Sequence, residues 1–477
     1  MKGALRLFFG GFLLVSGIIY LGYGVERSSF WSLFPAFIVA FLGYFLLVKN
    51  RTAGPPLFWL AGLGIGLRIA LVFAFPLLSD DIYRFIWDGY LINAGYNPFT
   101  ELPAFYLEPG NRVPGLSVEL FELLNSPDYY TIYPPIAQSV FALATWLSPD
   151  SWLGAVVVMK ALLVTCELGS LWLLWQLLSA GDKEGDGAQV QGGGEEQCIY
   201  APRRADLLLY WLNPLIIVEV TGNLHFEGAM VFFLLLAYYL LQRSQWGKAA
   251  VAFAAAVASK LLPLMLLPFL IRRLWRGDGV AGEQWSLRKF LVSGKPFYIF
   301  SAAFGISCLL FFAPLLLSPD FIAGFRSSLE LYQRKFEFNA SFYYLARAYG
   351  YYQVGWNKIA TFGPLLAQAA AVGILLMALL DRRKDWASLP AGWLFAFVLY
   401  LLCATTVHPW YLSVPIVLCL FTRWRFPLVW SFLIMLTYTN YLTVPYEENL
   451  WLVGAEYLLV FSFGVWEWQR YRTDKFA

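Results

Sequence analysis

The chain has 477 residues, of which 59% are hydrophobic, 19% aromatic and 14% charged. A soluble globular chain carries about 25% charged residues, so this composition excludes an ordinary aqueous globule and points to lipid. A net charge of +3 without any basic run excludes a nucleic-acid surface, and of the five cysteines four lie inside apolar blocks, where no disulfide framework or zinc cluster is legible.

Apolar blocks recur at 4–24, 30–48, 57–78, 153–178, 205–220, 226–242, 247–271, 297–317, 358–380, 389–406, 409–421, 426–445 and 449–468. Most have the roughly 16–25 residues that span ~30 Å of hydrocarbon at ~1.5 Å per residue. They predict one all-α polytopic membrane domain over 1–477, with about 12–14 transmembrane helices. The first block is basic and then apolar, like a signal sequence. Its apolar stretch is long and no small-residue cleavage site precedes Glu26, so it is read as a retained first helix.

Lys and Arg in short loops set the orientation. Lys2 and Arg6 place the N-terminus inside, and Lys49 with Arg51 place the second connection there. The long segment 79–152 is then outside, in keeping with its acidic character. Arg382, Arg383 and Lys384 mark an inside loop, as do Arg423 with Arg425 and the tail residues Arg470, Arg472 and Lys475. Consistency requires that Tyr133–Leu147 lie against the outer surface without crossing. It also requires that 247–271 enter and leave on one side, broken around Lys260 and Pro263. The Gly-rich stretch Gly181–Gln197, within 179–204, reads as a flexible cytoplasmic loop.

Residues able to carry chemistry follow in chain order. Asp80 and Asp81 stand where the third helix leaves the membrane. Adjacent carboxylates repel and raise one pKa, which suits a general base; alternatively they cap the helix Ile82–Asn93. Arg84 is spaced to pair with either, and Asp88 falls roughly on the face of Asp81, where a structural role is favoured. Leu116–Leu124 has the pattern of a helix lying on the membrane surface. Tyr133-Pro-Pro135 begins another, with Tyr133 either structural or facing a ligand. The chain's two histidines, His225 and His408, both fall at outer helix ends. With Glu227 they could in principle hold a metal, but they lie far apart in sequence. Lys260 is a cation inside an apolar region, a functional signal unless it snorkels. Arg334 and Lys335 belong to the most basic outer segment, within 318–357, which would favour an anionic ligand.

The ordered set Ser79-Asp-Asp-Ile-Tyr83, Gly95-Tyr-Asn-Pro98, Tyr133-Pro-Pro135, Asn213-Pro214, Gly222-Asn-Leu-His-Phe-Glu227, Ser259-Lys-Leu-Leu-Pro263 and His408-Pro-Trp-Tyr411 resembles the integral-membrane glycosyltransferases of GT-C fold. Within them it is most similar to the polyprenol-phosphate-mannose-dependent mannosyltransferases. The resemblance covers about residues 60–411. It implies a GT-C-like helical bundle whose large first extracytoplasmic loop, here 79–152, carries the catalytic carboxylate and interfacial helices. Asp80 or Asp81 would be the base. Substrate contacts would come from Arg84, Asp88, Tyr133, His225, Glu227, Lys260, Arg334, Lys335 and His408. Related glucosyltransferases place an Asp directly before Tyr-Pro-Pro; Ile132 stands there, which favours the mannosyltransferase branch.

The implied reaction is inverting hexosyl transfer, mannose above other sugars, from a polyprenyl-phosphate donor to a glycan, glycolipid or protein acceptor. No cofactor is required, a divalent cation being left open. The implied location is the bacterial inner membrane with both termini cytoplasmic. The rival reading is a transporter or flippase, which would explain the helices and Lys260 but not an outer loop with its own amphipathic helices.

Overall fold

The computed structural model describes residues 2–49, 55–179, 202–275, 294–317 and 321–473. Among these no strand forms; a single isolated bridge pairs Phe338 with Thr406. The architecture is therefore the all-α polytopic membrane protein expected from hydropathy. The expected loop Gly181–Gln197 lies outside the described residues, as do Arg51 and Lys475.

Helices α1 (Lys2–Tyr23) and α2 (Phe30–Val48) pack as a hairpin, and α3 (Pro55–Val72) leads to the first long loop. That loop holds α4 (Asp81–Asn93), α5 (Val118–Glu122) and α6 (Pro135–Leu147) before α7 (Trp152–Leu177). Then come α8 (Leu208–Trp211), a π-helix at Ile216–Gly222, α9 (Glu227–Gln242), α10 (Trp246–Ser259) and α11 (Pro268–Leu274). The remainder is α12 (Lys295–Leu316), α13 (Phe321–Arg334), α14 (Phe342–Val354), α15 (Ile359–Leu380), α16 (Leu389–Cys403), α17 (Ser413–Cys419), α18 (Phe426–Leu433) and α19 (Leu450–Thr473).

Every apolar block read from the sequence is helical, but the blocks are not equally continuous. Six helices among the described residues are long and apolar enough to cross a bilayer alone, and seven further apolar helices have 10–17 residues. The other apolar blocks form shorter helices, and two of them are broken, at Asn213-Pro214 and around Lys260 and Pro263. Asn213-Pro214 bends the pair Arg204–Trp211 and Ile216–Gly222 by 62°, since a proline cannot donate the helical hydrogen bond. The break expected around Lys260 and Pro263 is present: α10 stops at Ser259, a 3-10 turn spans Leu262–Leu266, and α11 follows.

The first loop is a packed body. Pro135 opens α6 at a first-turn position that tolerates its missing N–H. α4 crosses α6 at Gly89, where a Cβ would lie 2.5 Å from the Phe141 carbonyl oxygen, so only glycine allows the approach. Phe85 stacks on Phe141 at 4.4 Å beside that crossing. The surface helix expected over 116–124 is one short turn, α5, capped by Ser117 through the Leu120 N–H. From the later loop, α13 seats Phe321 against Phe99 at 5.0 Å, and the Ser328 hydroxyl donates to the Tyr130 carbonyl at 3.0 Å.

Candidate active site

Asp80 and Asp81, adjacent in sequence, have separate fates. Neither oxygen of Asp80 caps α4; its carboxylate instead forms an ion pair with Arg27 from the α1–α2 connection. The Arg27 guanidinium also lies 4.9 Å from the centre of the Tyr441 ring. Asp81 occupies the first turn of α4, where the helix dipole favours negative charge. Its Oδ1 accepts from Asn125 Nδ2 at 2.8 Å, the Tyr133 hydroxyl donates to it, and its Oδ2 faces His225 Nε2 at 4.0 Å. Its side chain keeps 22% exposure. Burial pushes both carboxyls above the ordinary range. For Asp80 the Arg27 charge works against that rise; for Asp81 the Asn125 bond, the Lys260 charge and the Tyr133 bond do so.

His225 is held by the turn that follows the π-helix. Leu224, in that turn, takes a φ of 62°, a left-handed value uncommon for a branched aliphatic residue. His225 Nδ1 lies 2.7 Å from the Glu219 carbonyl oxygen. A carbonyl only accepts, so Nδ1 carries the proton and the neutral ring has its lone pair on Nε2. Nε2 is buried and makes no hydrogen bond. The Glu219 carboxylate sits behind the ring, Oε2 at 3.6 Å from Nδ1, and its Oε1 accepts from the Tyr438 hydroxyl at 2.7 Å.

The indole of Trp410 stacks on His225 at 3.6 Å and 14°, and on His408 at 4.5 Å and 6°. Two imidazoles this close to one indole would overlap if they shared a face, so Trp410 lies between them. The histidines therefore cannot close on a common ion, and among the described residues no three His, Cys, Asp or Glu side chains gather as a metal site requires. Lys260, at the break after α10, pairs with the buried Glu227 of α9 and lies 4.8 Å from the centre of the Tyr411 ring. Glu227 Oε2 and His408 Nδ1 are buried without hydrogen-bond partners.

The structure thus gathers Asp81, Tyr133, His225, Glu227, Lys260 and His408, drawn from far-separated parts of the chain. Arg84 and Asp88 serve elsewhere. Arg84 Nε donates to Asp88 Oδ1 at 2.8 Å and Arg84 Nη1 to the Tyr129 carbonyl at 2.8 Å, while Gln138 Nε2 donates to Asp88 Oδ2 at 2.9 Å. These bonds brace the loop that carries Asn125 and Tyr133. Arg334 and Lys335 are exposed at the end of α13. The backbone just beyond them pairs with the His408 segment, Phe338 N–H to the Thr405 carbonyl at 2.9 Å and Val407 N–H to the Phe338 carbonyl at 2.8 Å.

Sequence reading missed Arg27, Asn125, Glu219, Trp410 and Tyr438. Glu219 had a usable signal, a lone acid inside an apolar block. Trp410 stood inside a motif but was not singled out. Arg27, Asn125 and Tyr438 carried none.

Known proteins similar to the chain are mannosyltransferases. A family model described as Alpha-(1->6)-mannopyranosyltransferase, N-terminal domain, matches residues 196–276. That window holds Asn213-Pro214, the Gly222–Glu227 turn and Ser259–Pro263. The chain is 23% identical over 203 residues to Alpha-(1->6)-mannopyranosyltransferase A of Corynebacterium glutamicum, covering 43% of this chain and 36% of that relative. It is 25% identical over 207 residues to Alpha-(1->6)-mannopyranosyltransferase B of the same organism, covering 42% of this chain and 31% of the relative. The matches therefore span only 36% and 31% of the lengths of these two curated relatives. The likeness to membrane mannosyltransferases read from the motifs is borne out.

Proposed function

We propose that the chain transfers a hexose, mannose above others, from a polyprenyl-phosphate donor to an acceptor hydroxyl on the extracytoplasmic side, with Asp81 as general base. In this reading both termini are cytoplasmic and segment 79–152 is the outer loop. The similarity to mannosyltransferases supports the sugar. The observation that carries the role of Asp81 is the contrast with its neighbour: Asp80 is committed to an ion pair with Arg27, whereas Asp81 turns its Oδ2 into the cluster, toward His225 Nε2 at 4.0 Å.

The reaction is a single displacement. The acceptor oxygen attacks the anomeric carbon and gives its proton to Asp81. The bond from that carbon to the phosphate oxygen breaks, and the electron pair leaves with the polyprenyl phosphate. One base and a good leaving group suffice, so inversion follows, and a β-linked donor yields an α-linked product. Lys260 offers the cation for the leaving phosphate, and His408 Nδ1 a hydrogen bond. Arg334 and Lys335, exposed on the adjoining loop, meet the donor phosphate as it approaches. Arg84 and Asp88 hold the loop in place.

The test is transfer from radiolabelled polyprenyl-phosphate-mannose in proteoliposomes supplied with native membrane extract as acceptor. Asp81→Asn is expected to abolish transfer and Asp80→Asn to retain a measurable rate. Loss in the Asp80 variant alone would reassign the base. No transfer from mannosyl, glucosyl or arabinosyl donors by wild type would overturn the enzyme reading.

A further inference from the structure

Lys160 stands in the middle of α7, fully buried, and the chemistry above makes no use of it. Its Nζ lies 3.0 Å from the Leu71 carbonyl oxygen, 2.6 Å from that of Ala74 and 2.6 Å from that of Gly222. Three carbonyls require three N–H donors, which only the ammonium form provides. The three oxygens come from two helix ends. Leu71 and Ala74 are at the exit of α3, and Gly222 is the last residue of the π-helix. Such ends expose unpaired carbonyls and carry the negative pole of the helix dipole, so a cation between two of them is stabilised by both.

Each of these ends feeds a reacting group. The chain leaving α3 reaches Asp80 and Asp81 within a few residues, and the chain leaving the π-helix reaches His225 and then Glu227. A second tie joins the same two segments. The Asn223 side chain accepts from the Leu78 N–H at 3.1 Å and donates to the Val218 carbonyl at 3.0 Å. Lys160 and Asn223 together therefore pin the segment before Asp81 to the segment before His225.

We infer that Lys160 is a positioning residue, whose clasp of the α3 exit and the π-helix end sets the placement of Asp81 against His225. The inference rests on the proposed transferase reading for its kinetic consequence, while the clasp itself can be measured without any activity. Small displacements of reacting groups cost catalysis more than binding.

The experiment compares wild type with Lys160→Met, Lys160→Gln and Arg273→Met in proteoliposomes. Arg273 is an equally apt control, a buried cation that joins α11 to Asp381 and Ser388, away from Asp81 and His225. In Lys160→Met, kcat for mannosyl transfer is expected to fall about 10²-fold with the donor KM within about twofold of wild type. Lys160→Gln, which keeps two donors, falls between. Hydrogen–deuterium exchange should rise in peptides covering 71–81 and 218–227 and stay unchanged elsewhere. Arg273→Met should leave kcat per folded molecule intact. Should Lys160→Met fail to fold, Lys160→Gln carries the same two readouts.

Unchanged exchange in both peptides, or a kcat that falls no further than in Arg273→Met, would overturn the inference. If wild type transfers no sugar at all, the transferase reading fails, and the exchange pattern alone then decides whether the clasp exists.

Discussion

His225 Nε2 stands 4.0 Å from Asp81 Oδ2, with Nδ1 of the same ring 2.7 Å from the Glu219 carbonyl oxygen. The protonated nitrogen is thereby turned away from Asp81, and the lone pair is turned toward it. Once Asp81 holds the acceptor's proton, that lone pair is placed to accept a hydrogen bond from it. His225→Ala is therefore expected to lower kcat by about 10²-fold, the usual worth of a positioned acid–base group, with donor KM little changed. A His225→Ala enzyme with wild-type kcat would remove the ring from the reaction.

The acid limb of the pH–rate profile follows from the surroundings of Asp81. A base must be ionised, and burial raises this carboxyl, so kcat/KM should fall on acidification at a pH above the ordinary aspartate value of about 3.9. The Lys260 charge lowers this pKa and the Asp80 charge raises it. Lys260→Met should move the limb to higher pH, and Asp80→Asn should move it to lower pH. Shifts in the same direction in both variants would assign the limb to another group.

Glu227 is buried and Lys260 partly so, and removing one member of such a pair strands the other. Glu227→Gln should cost about 2–4 kcal/mol, read as a lower Tm in detergent. The double variant Glu227→Leu with Lys260→Met should recover most of that stability, because two apolar groups leave no orphan charge. It should not recover transfer, since the cation for the phosphate is gone. Restored activity in the double variant would show the pair to be purely structural.

Beyond the candidate cluster, Glu448 takes a hydrogen bond from the Asn339 N–H at 2.7 Å. Burial nevertheless pushes its carboxyl up to about 7; the Asn339 bond opposes the rise and the Glu337 charge adds to it. A folded-state pKa raised above the unfolded value of about 4.3 contributes stability that is complete below that value and lost as pH rises through the folded pKa. Tm should accordingly fall between about pH 4 and 7 in wild type and change less in Glu448→Gln. Parallel curves for the two proteins would place the pH dependence elsewhere.

How far the sequence could be read depended on the range of the forces involved. Hydropathy is a local property, and every apolar block was found helical. The proline breaks at Asn213-Pro214 and Lys260–Pro263 were legible because proline acts on its own helix. Both His and the Asp pair stood out because they are rare or charged near apolar blocks. What stayed hidden was pairing across the fold. Nothing local distinguishes Asp80 from Asp81 until Arg27 arrives from another connection, and nothing local shows that Arg84 and Asp88 satisfy each other and the 126–129 backbone. Lys160 and Glu219 were visible as charges inside apolar blocks, but their purpose depends on which carbonyls and hydroxyls meet them.

The contact between Arg27 and Tyr441 joins the first helical hairpin to the segment preceding the last helix. Since Arg27 also fixes Asp80, the acidic pair is not fully dressed until nearly the whole polypeptide has been synthesised and inserted. A nascent chain holding only its early spans would own both acids and Arg27 but lack Tyr441, His225 and Lys260. The same arrangement makes the opening hairpin more than a membrane tether: exchanging it for an unrelated anchor would keep the protein in the bilayer and still dismantle the environment of Asp80.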